Sequence, residues 1–239
     1  MDRNNAIECV GFDADDTLWH NETFFRLTQA RFAALLSDHV DEDRLMARLF
    51  EAERRNLGTY GFGIKGFVLS MIETAVEVTE GAVPGAVVGE LLAAGREMLA
   101  HPVDLLPHAR GTVEALAATR RVVLVTKGDL LDQERKLAQS GLGDLFDDVR
   151  IVSEKTPETY AAAFPDPARA LMVGNSMRSD VIPALAAGAW GVFCPSELEW
   201  ETEHAEAPDH HPRFRRVADL GELPALVEAL SERSLGAFG

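Results

Sequence analysis

The sequence is poor in cysteine, in positive charge and in aromatic residues, and it has no long apolar run. Two cysteines, Cys9 and Cys194, cannot staple a chain of this size. Each sits in a strand-like apolar run, which predicts buried free thiols in a reducing compartment. Lys and Arg number 23 against 39 Asp and Glu, a formal net charge of −16. That balance argues against a broad nucleic-acid or acidic-membrane surface. An anionic ligand must then be drawn by a local positive site. The longest weakly polar stretch, 181–195, is too short to span a bilayer and is broken by Pro183, Gly188 and Gly191. Residues 1–5 are polar and lack the apolar core of a signal peptide, so the expectation is a cytoplasmic protein. No repeat or low-complexity tract stands out.

What is present is ordinary globular composition, with 46% hydrophobic and 26% charged residues among 239. The chain is organised around Cys9-Val10-Gly11-Phe12-Asp13-Ala14-Asp15-Asp16-Thr17-Leu18. An apolar run that stops at three acids reads as a buried strand with carboxylates at its carboxyl end. Helical spacing then takes over for about eighty residues. It predicts helices near 21–36, 42–57 (stopping at Gly58), 67–79 and 84–100, with a glycine- and aromatic-rich loop, 59–66, between the second and third. From Pro107 the rhythm alternates. Strands are expected near 121–126, 148–152, 170–173 and 190–194, with an edge strand at 214–217, separated by helices; 196–212 reads as an exposed acidic loop. Such alternation implies a doubly wound parallel sheet, an α/β core of 1–20 and 105–239 interrupted by an all-helical insertion, 21–104.

Parallel strands present their carboxyl ends on one edge, where ligands of open α/β sheets bind. That edge would gather Asp13 and Asp15, Thr126, Lys155, and Asn175 with Asp180. The types are complementary. A carboxylate can attack phosphorus, and a second can exchange a proton with the leaving alcohol and with water. A hydroxyl, an ammonium and main-chain amides can hold phosphoryl oxygens. Hard oxygen donors suit Mg²⁺, which offsets the repulsion between an anionic nucleophile and a dianionic group.

The ordered set Asp13-Ala14-Asp15-Asp16-Thr17-Leu18, Thr126, Lys155 and Gly174-Asn175-Ser176 with Asp180 resembles the haloacid dehalogenase-like superfamily, and the likeness covers nearly the whole chain. The helical insertion after the first strand is similar to that of the family's helical-cap subclass. The resemblance implies a Rossmann-like core with an inserted cap, Asp13 as nucleophile and Asp15 as general acid/base. It makes Thr126 and Lys155 phosphoryl-holding groups, with Lys127 and Gly128 contributing to substrate binding after the threonine. It assigns Mg²⁺ to Asp13, the Asp15 carbonyl and the Asn175 position, with Asp180 supporting. A cap would set specificity through Tyr60, Phe62 and Lys65. One departure stands out: the fourth motif usually begins Gly-Asp, and this chain has Gly174-Asn175.

The implied activity is hydrolysis of a small phosphorylated metabolite. Asn175 keeps a metal-independent 2-haloacid dehalogenase in view, but that branch lacks the second acid supplied here by Asp15. A phosphomutase and a non-catalytic phospho-ligand binder are further alternatives. Oligomeric state is not legible. The seven histidines show no metal-ligand spacing.

Overall fold

The computed structural model describes residues 6–198, 200 and 203–233, so the polar residues 1–5 lie outside it. Four consecutive buried residues make β1 (Cys9–Phe12) the middle of a parallel sheet. β1 pairs on one side with β2 (Arg121–Lys127), which pairs with β3 (Asp148–Val152). On its other side lie β4 (Ala170–Gly174), β5 (Trp190–Phe193) and β6 (Phe214–Arg216). The order is β3-β2-β1-β4-β5-β6. Phe12 is level with Leu124 and with Val173, so β1 and β4 end within a residue of each other while β2 runs on to Lys127. The strand order reverses between β1 and β4, which is where open sheets of this kind open a crevice for ligands.

Successive strand residues face opposite ways. Val10, Phe12, Val122, Leu124, Leu171 and Val173 bury one face with residues of α5 (Ala109–Ala117) and α9 (Leu223–Arg233). Cys9, Val123, Val125, Ala170 and Met172 bury the other with residues of α7 (Pro157–Ala163) and α8 (Ile182–Ala186). The sheet is therefore doubly wound, as the alternation implied. A fully buried side chain such as Phe12 contributes roughly 1.5–3 kcal/mol, which gives the strand ends a stiff base. Cys9 and Cys194 are buried free thiols, and burial raises both pKa values to about 11.

The chain divides into two compact units. The first holds the described residues of Met1–Glu22, Val103–Lys127 and Lys136–Gly239; the second is Thr23–Pro102 with Gly128–Arg135. α6 (Leu130–Ser140) contributes to both. The second unit contains most of α1 (Glu22–Leu36), together with α2 (Glu42–Tyr60), α3 (Ile64–Val78) and α4 (Gly85–Ala100). Its core gathers Phe32, Leu36, Leu45, Leu49, Phe67, Met71 and Leu91.

Two boundaries differ from the sequence reading. α2 runs through Gly58 to Tyr60, and α3 starts at Ile64, so the expected eight-residue loop shrinks to 61–63. Tertiary contacts override the weak helix propensity of glycine, which costs about 1 kcal/mol against alanine. Buried Asn56 donates to Ser70 Oγ (3.2 Å) and Glu73 Oε2 (2.8 Å), and Tyr60 donates to Glu73 Oε1 (2.7 Å). The helix ends at Gly61, whose φ of 72° lies in the left-handed region that glycine enters at little cost.

Candidate active site

The first acid extends the ladder of β1: the Asp13 N–H donates to Val173 O at 2.9 Å. The chain then turns tightly, with Thr17 N–H (3.2 Å) and Leu18 N–H (2.8 Å) donating to the Ala14 carbonyl. Asp16 holds this turn in the left-handed region, φ 58°. Its carboxylate accepts from the main-chain N–H of Asn21 and Glu22 and so anchors the start of α1. Burial pushes the Asp16 pKa up to about 7 against the pull of those two N–H groups. The turn brings the Thr17 hydroxyl back to Asp13 Oδ2 at 3.0 Å.

The ends of β3 and β4 complete the centre. Lys155 lies just past β3, and the Thr156 hydroxyl after it accepts from Thr159 N–H (3.3 Å), capping α7. Lys155 Nζ donates to Asp13 Oδ1 and, at 2.6 Å, to Asp180 Oδ1. Asp180 Oδ2 accepts from Ser176 N–H at 2.9 Å, inside a wide π turn, Met177–Val181. Gly174 is required here. A Cβ on it would lie 2.2 Å from Asp180 Oδ2, so any side chain would evict the carboxylate. Burial alone would lower the Lys155 pKa, but Asp13 and Asp180 override it and hold the pKa above that of ordinary lysine. Asp180 is pushed up to about 7 by burial and then by Asp13, with Lys155 opposing.

Asn175 sits at the junction. Its main-chain N–H donates to Thr17 Oγ1 at 3.1 Å. With its nitrogen turned inward, the side-chain amide donates to Thr17 Oγ1 (3.1 Å), Asp13 Oδ2 (3.2 Å) and the Asp15 carbonyl (3.2 Å). Among the described residues no group of three His, Cys, Asp or Glu forms a ready metal cage. Oxygen donors at this point come instead from one carboxylate and one main-chain carbonyl, and the amide would add its oxygen on turning over.

The Asp15 side chain is held separately. Oδ1 accepts from Trp19 Nε1 (2.7 Å) and Lys136 Nζ (2.9 Å), and Oδ2 accepts from Lys136 at 3.1 Å. Lys136 also donates to Asn21 Oδ1 at 2.8 Å. Lys136 was not singled out in the sequence, where it is one charge among several in an amphipathic helix. Trp19, four residues after Asp15, carried a weak signal in its spacing.

Other expected residues have different partners. Thr126 is buried at the end of β2, and its hydroxyl donates to the Lys127 carbonyl at 3.4 Å. Lys127, expected to contribute to substrate binding, donates to Ser179 Oγ (2.8 Å) and Glu203 Oε1 (2.7 Å). Glu203 belongs to the stretch read as an exposed loop, yet its carboxylate is largely buried. Gly128, Tyr60, Phe62 and Lys65 belong to the second unit. There Lys65 donates to both oxygens of Asp129 at 2.9 Å. Arg178 is exposed, and Asp180 pairs with Lys155. Among the described residues no helix is long and apolar enough to cross a membrane.

A family model for haloacid dehalogenase-like hydrolases matches residues 7–188. The pyrimidine 5′-nucleotidase YjjG of Escherichia coli (strain K12) is 28% identical over 133 residues, 51% of this chain. The match spans 56% of that relative's length. A haloacid dehalogenase-like family hydrolase from Xanthomonas campestris is 45% identical, with a TM-score of 0.85 over 96% of this chain and 94% of that one. The HAD-hydrolase YfnB from Bacillus subtilis, solved bound to magnesium, shares the fold at 17% identity, with a TM-score of 0.63 over 93% and 99% of the two chains. With more than half of its length matched by the family model and its acids gathered at the carboxyl ends of β1 and β4, the chain belongs to the haloacid dehalogenase-like hydrolases.

Proposed function

We propose that this hydrolase is a Mg²⁺-dependent phosphohydrolase acting on a small phosphorylated metabolite through an aspartyl-phosphate at Asp13. The observation that carries the reading is the buried ammonium of Lys155 shared by Asp13 and Asp180, with a second carboxylate, Asp15, at the same strand end held by its own partners. A 2-haloacid dehalogenase needs one nucleophilic carboxylate; a phosphate ester also needs a proton donor for its leaving oxygen. Asp15 answers that need.

In this reading Asp13 attacks phosphorus, the P–O bond to the substrate alcohol breaks, and the alcohol oxygen takes a proton from Asp15. Asp15 then takes a proton from water as water attacks the acyl phosphate, releasing inorganic phosphate and freeing Asp13. The Thr17 hydroxyl orients Asp13 Oδ2, and Lys155 neutralises Oδ1. Trp19 and Lys136 set the orientation of Asp15. The donor chemistry fits Mg²⁺ once the amide turns: Asp13 Oδ2 and the Asp15 carbonyl lie 3.2 Å from the same end of the Asn175 amide, which would present its oxygen to the ion in place of its nitrogen. Asp13, the Asp15 carbonyl and Asn175 would hold the ion, with Asp180 behind them. Bound there, it would supply positive charge to the transferring phosphoryl group. Residues 21–104 are the proposed substrate-selecting cap. The phosphoryl-holding roles of Thr126 and of the main chain at Gly128 are part of the same proposal.

The test is phosphate release from a panel of phosphorylated metabolites, with Mg²⁺ and with chelator, and halide release from 2-chloropropionate alongside. Pyrimidine nucleoside 5′-monophosphates belong in the panel because of the nucleotidase relative. Mg²⁺-dependent phosphate release supports the reading. Chelator-indifferent halide release would replace it with the dehalogenase. Asp13→Asn should lower kcat at least about 10³-fold while leaving the fold intact, and wild-type-like turnover from it would sink the covalent route.

A further inference from the structure

One buried carboxylate near the site is unused by the mechanism. Glu203 comes from a stretch whose composition suggested solvent, yet it closes a second charged network. Its Oε1 accepts from Lys127 Nζ at 2.7 Å. Its Oε2 accepts from the Ser176 hydroxyl at 2.5 Å and from the Ser179 hydroxyl. Lys127 in turn donates to Ser179 Oγ at 2.8 Å. Three donors from two elements thus converge on one acid: the exit of β2, and the turn that carries Asn175 and Asp180. The Ser179 carbonyl accepts from the buried Tyr160 hydroxyl at 2.9 Å. Burial drives the Tyr160 pKa far up, and the charges of Asp180, Asp13 and Glu203 add to it, so all three acids act on one phenol. Burial would also raise the Glu203 pKa, but Lys127 and the two serine hydroxyls outweigh it and hold the carboxylate below its usual range.

The charge balance gives this network a consequence. Four carboxyl groups, Asp13, Asp15, Asp180 and Glu203, share three amines, Lys127, Lys136 and Lys155. Lys127 directly follows Thr126, at the strand edge where the phosphoryl group is proposed to bind. With Glu203 in place that ammonium is matched by a carboxylate before any ligand arrives.

We propose that Glu203 is a positioning residue that clamps Lys127 to the Ser176–Ser179 turn and keeps the charge of Lys127 from the incoming phosphate. The clamp holds the turn from which Asp180 reaches Lys155, and it limits how tightly product phosphate is retained. This rests on the phosphohydrolase reading in the matter of phosphate, but the clamp itself does not.

The experiment compares wild type, Glu203→Gln, Glu203→Asp and Lys127→Met/Glu203→Gln. Binding of inorganic phosphate with Mg²⁺ is followed by calorimetry, and thermal unfolding is recorded beside it. Glu203→Gln should bind phosphate about ten-fold tighter, because one negative charge fewer opposes the anion across a poorly screened edge, and kcat should fall as product lingers. Glu203→Asp keeps the charge and should bind phosphate as wild type does. The double variant should lose the tighter binding. Unchanged or weaker phosphate binding by Glu203→Gln overturns the masking role. Should that variant fold poorly, the melting comparison decides the clamp: the double variant, which gives up the cation together with its carboxylate, should unfold at a higher temperature than Glu203→Gln alone. A double variant no more stable than the single one overturns the clamp. If wild type neither binds phosphate nor releases it from any ester, the phosphohydrolase reading fails, and the melting comparison still tests the clamp.

Discussion

Two of the lysines that bridge to aspartate, Lys155 and Lys65, do different work. Lys155 has 3% of its side chain exposed and lies between Asp13 and Asp180. Lys65, in the helical unit, has 52% exposed and rests on Asp129 alone. The hydrogen-bond geometry is good in both, so geometry does not separate them. Burial does. Water screens the Lys65 pair and would solvate either partner if the other left. Nothing screens Lys155, and removing it would strand two carboxylates in the interior.

The sharpest break of this contrast is Lys155→Met. It should cost about 3–5 kcal/mol of stability and suppress turnover. The penalty should be greater at pH 8 than at pH 5, because protonation relieves the facing acids; denaturant unfolding at the two pH values checks it. Gly174→Ala attacks the same centre without touching a charge. Its Cβ would displace Asp180 from Lys155, with an expected loss of about 2–3 kcal/mol and of the Mg²⁺ response. A melting curve within one degree of wild type would refute the required close approach.

Asp16 sharpens the comparison from between the extremes, since it is partly buried and its raised pKa has no cation among its causes. Its folded-state pKa of about 7 lies above the ordinary value of 3.8. Between those values the folded protein holds a proton that the unfolded chain has released, so stability falls as pH rises through the window. Asp16→Asn keeps an acceptor for the Asn21 and Glu22 N–H groups and tolerates the left-handed backbone. It should raise Tm by about 2–4 °C at pH 8, for a gain on the order of 1 kcal/mol, and the gain should shrink towards pH 4. A gain that is equal at both pH values would rule out the titration. The smallest effect belongs to Lys65→Ala, which should change stability by less than about 1 kcal/mol; a larger loss would mean that the pair is not simply a surface pair.

The legible part of the site was the part written in strand ends. Asp13, Lys155, Asn175 and Asp180 each follow an apolar run that could be read as a strand, and parallel topology then gathers them on one edge. Lys136 and Glu203 were not legible for a shared reason. One lies on a helix rich in charges and the other in an acidic loop, and neither local pattern reports a partner 121 or 76 residues away. Gly58 misled for the opposite reason. A local stop signal was overruled by Asn56 and Tyr60 bonding to α3, contacts that helical periodicity does not contain. Lys127 fell between these cases, since its position at a strand end was visible and its engagement by Glu203 was not.

The placement of β1 also bears on how the molecule is made. The strand that carries Asp13 is synthesised well before its two neighbours in the sheet, which begin at Arg121 and Ala170. Until those segments are synthesised, Val10 and Phe12 have no sheet to join, and closing the intervening loops must precede any reward from pairing. The helical segment, built from local contacts, can collapse while β1 still waits. The nascent chain therefore passes through a stage with an orphaned apolar strand, a species prone to aggregate or to recruit chaperones. Recovery of activity on refolding should trail recovery of helical circular dichroism, because the catalytic edge is among the last things the chain completes.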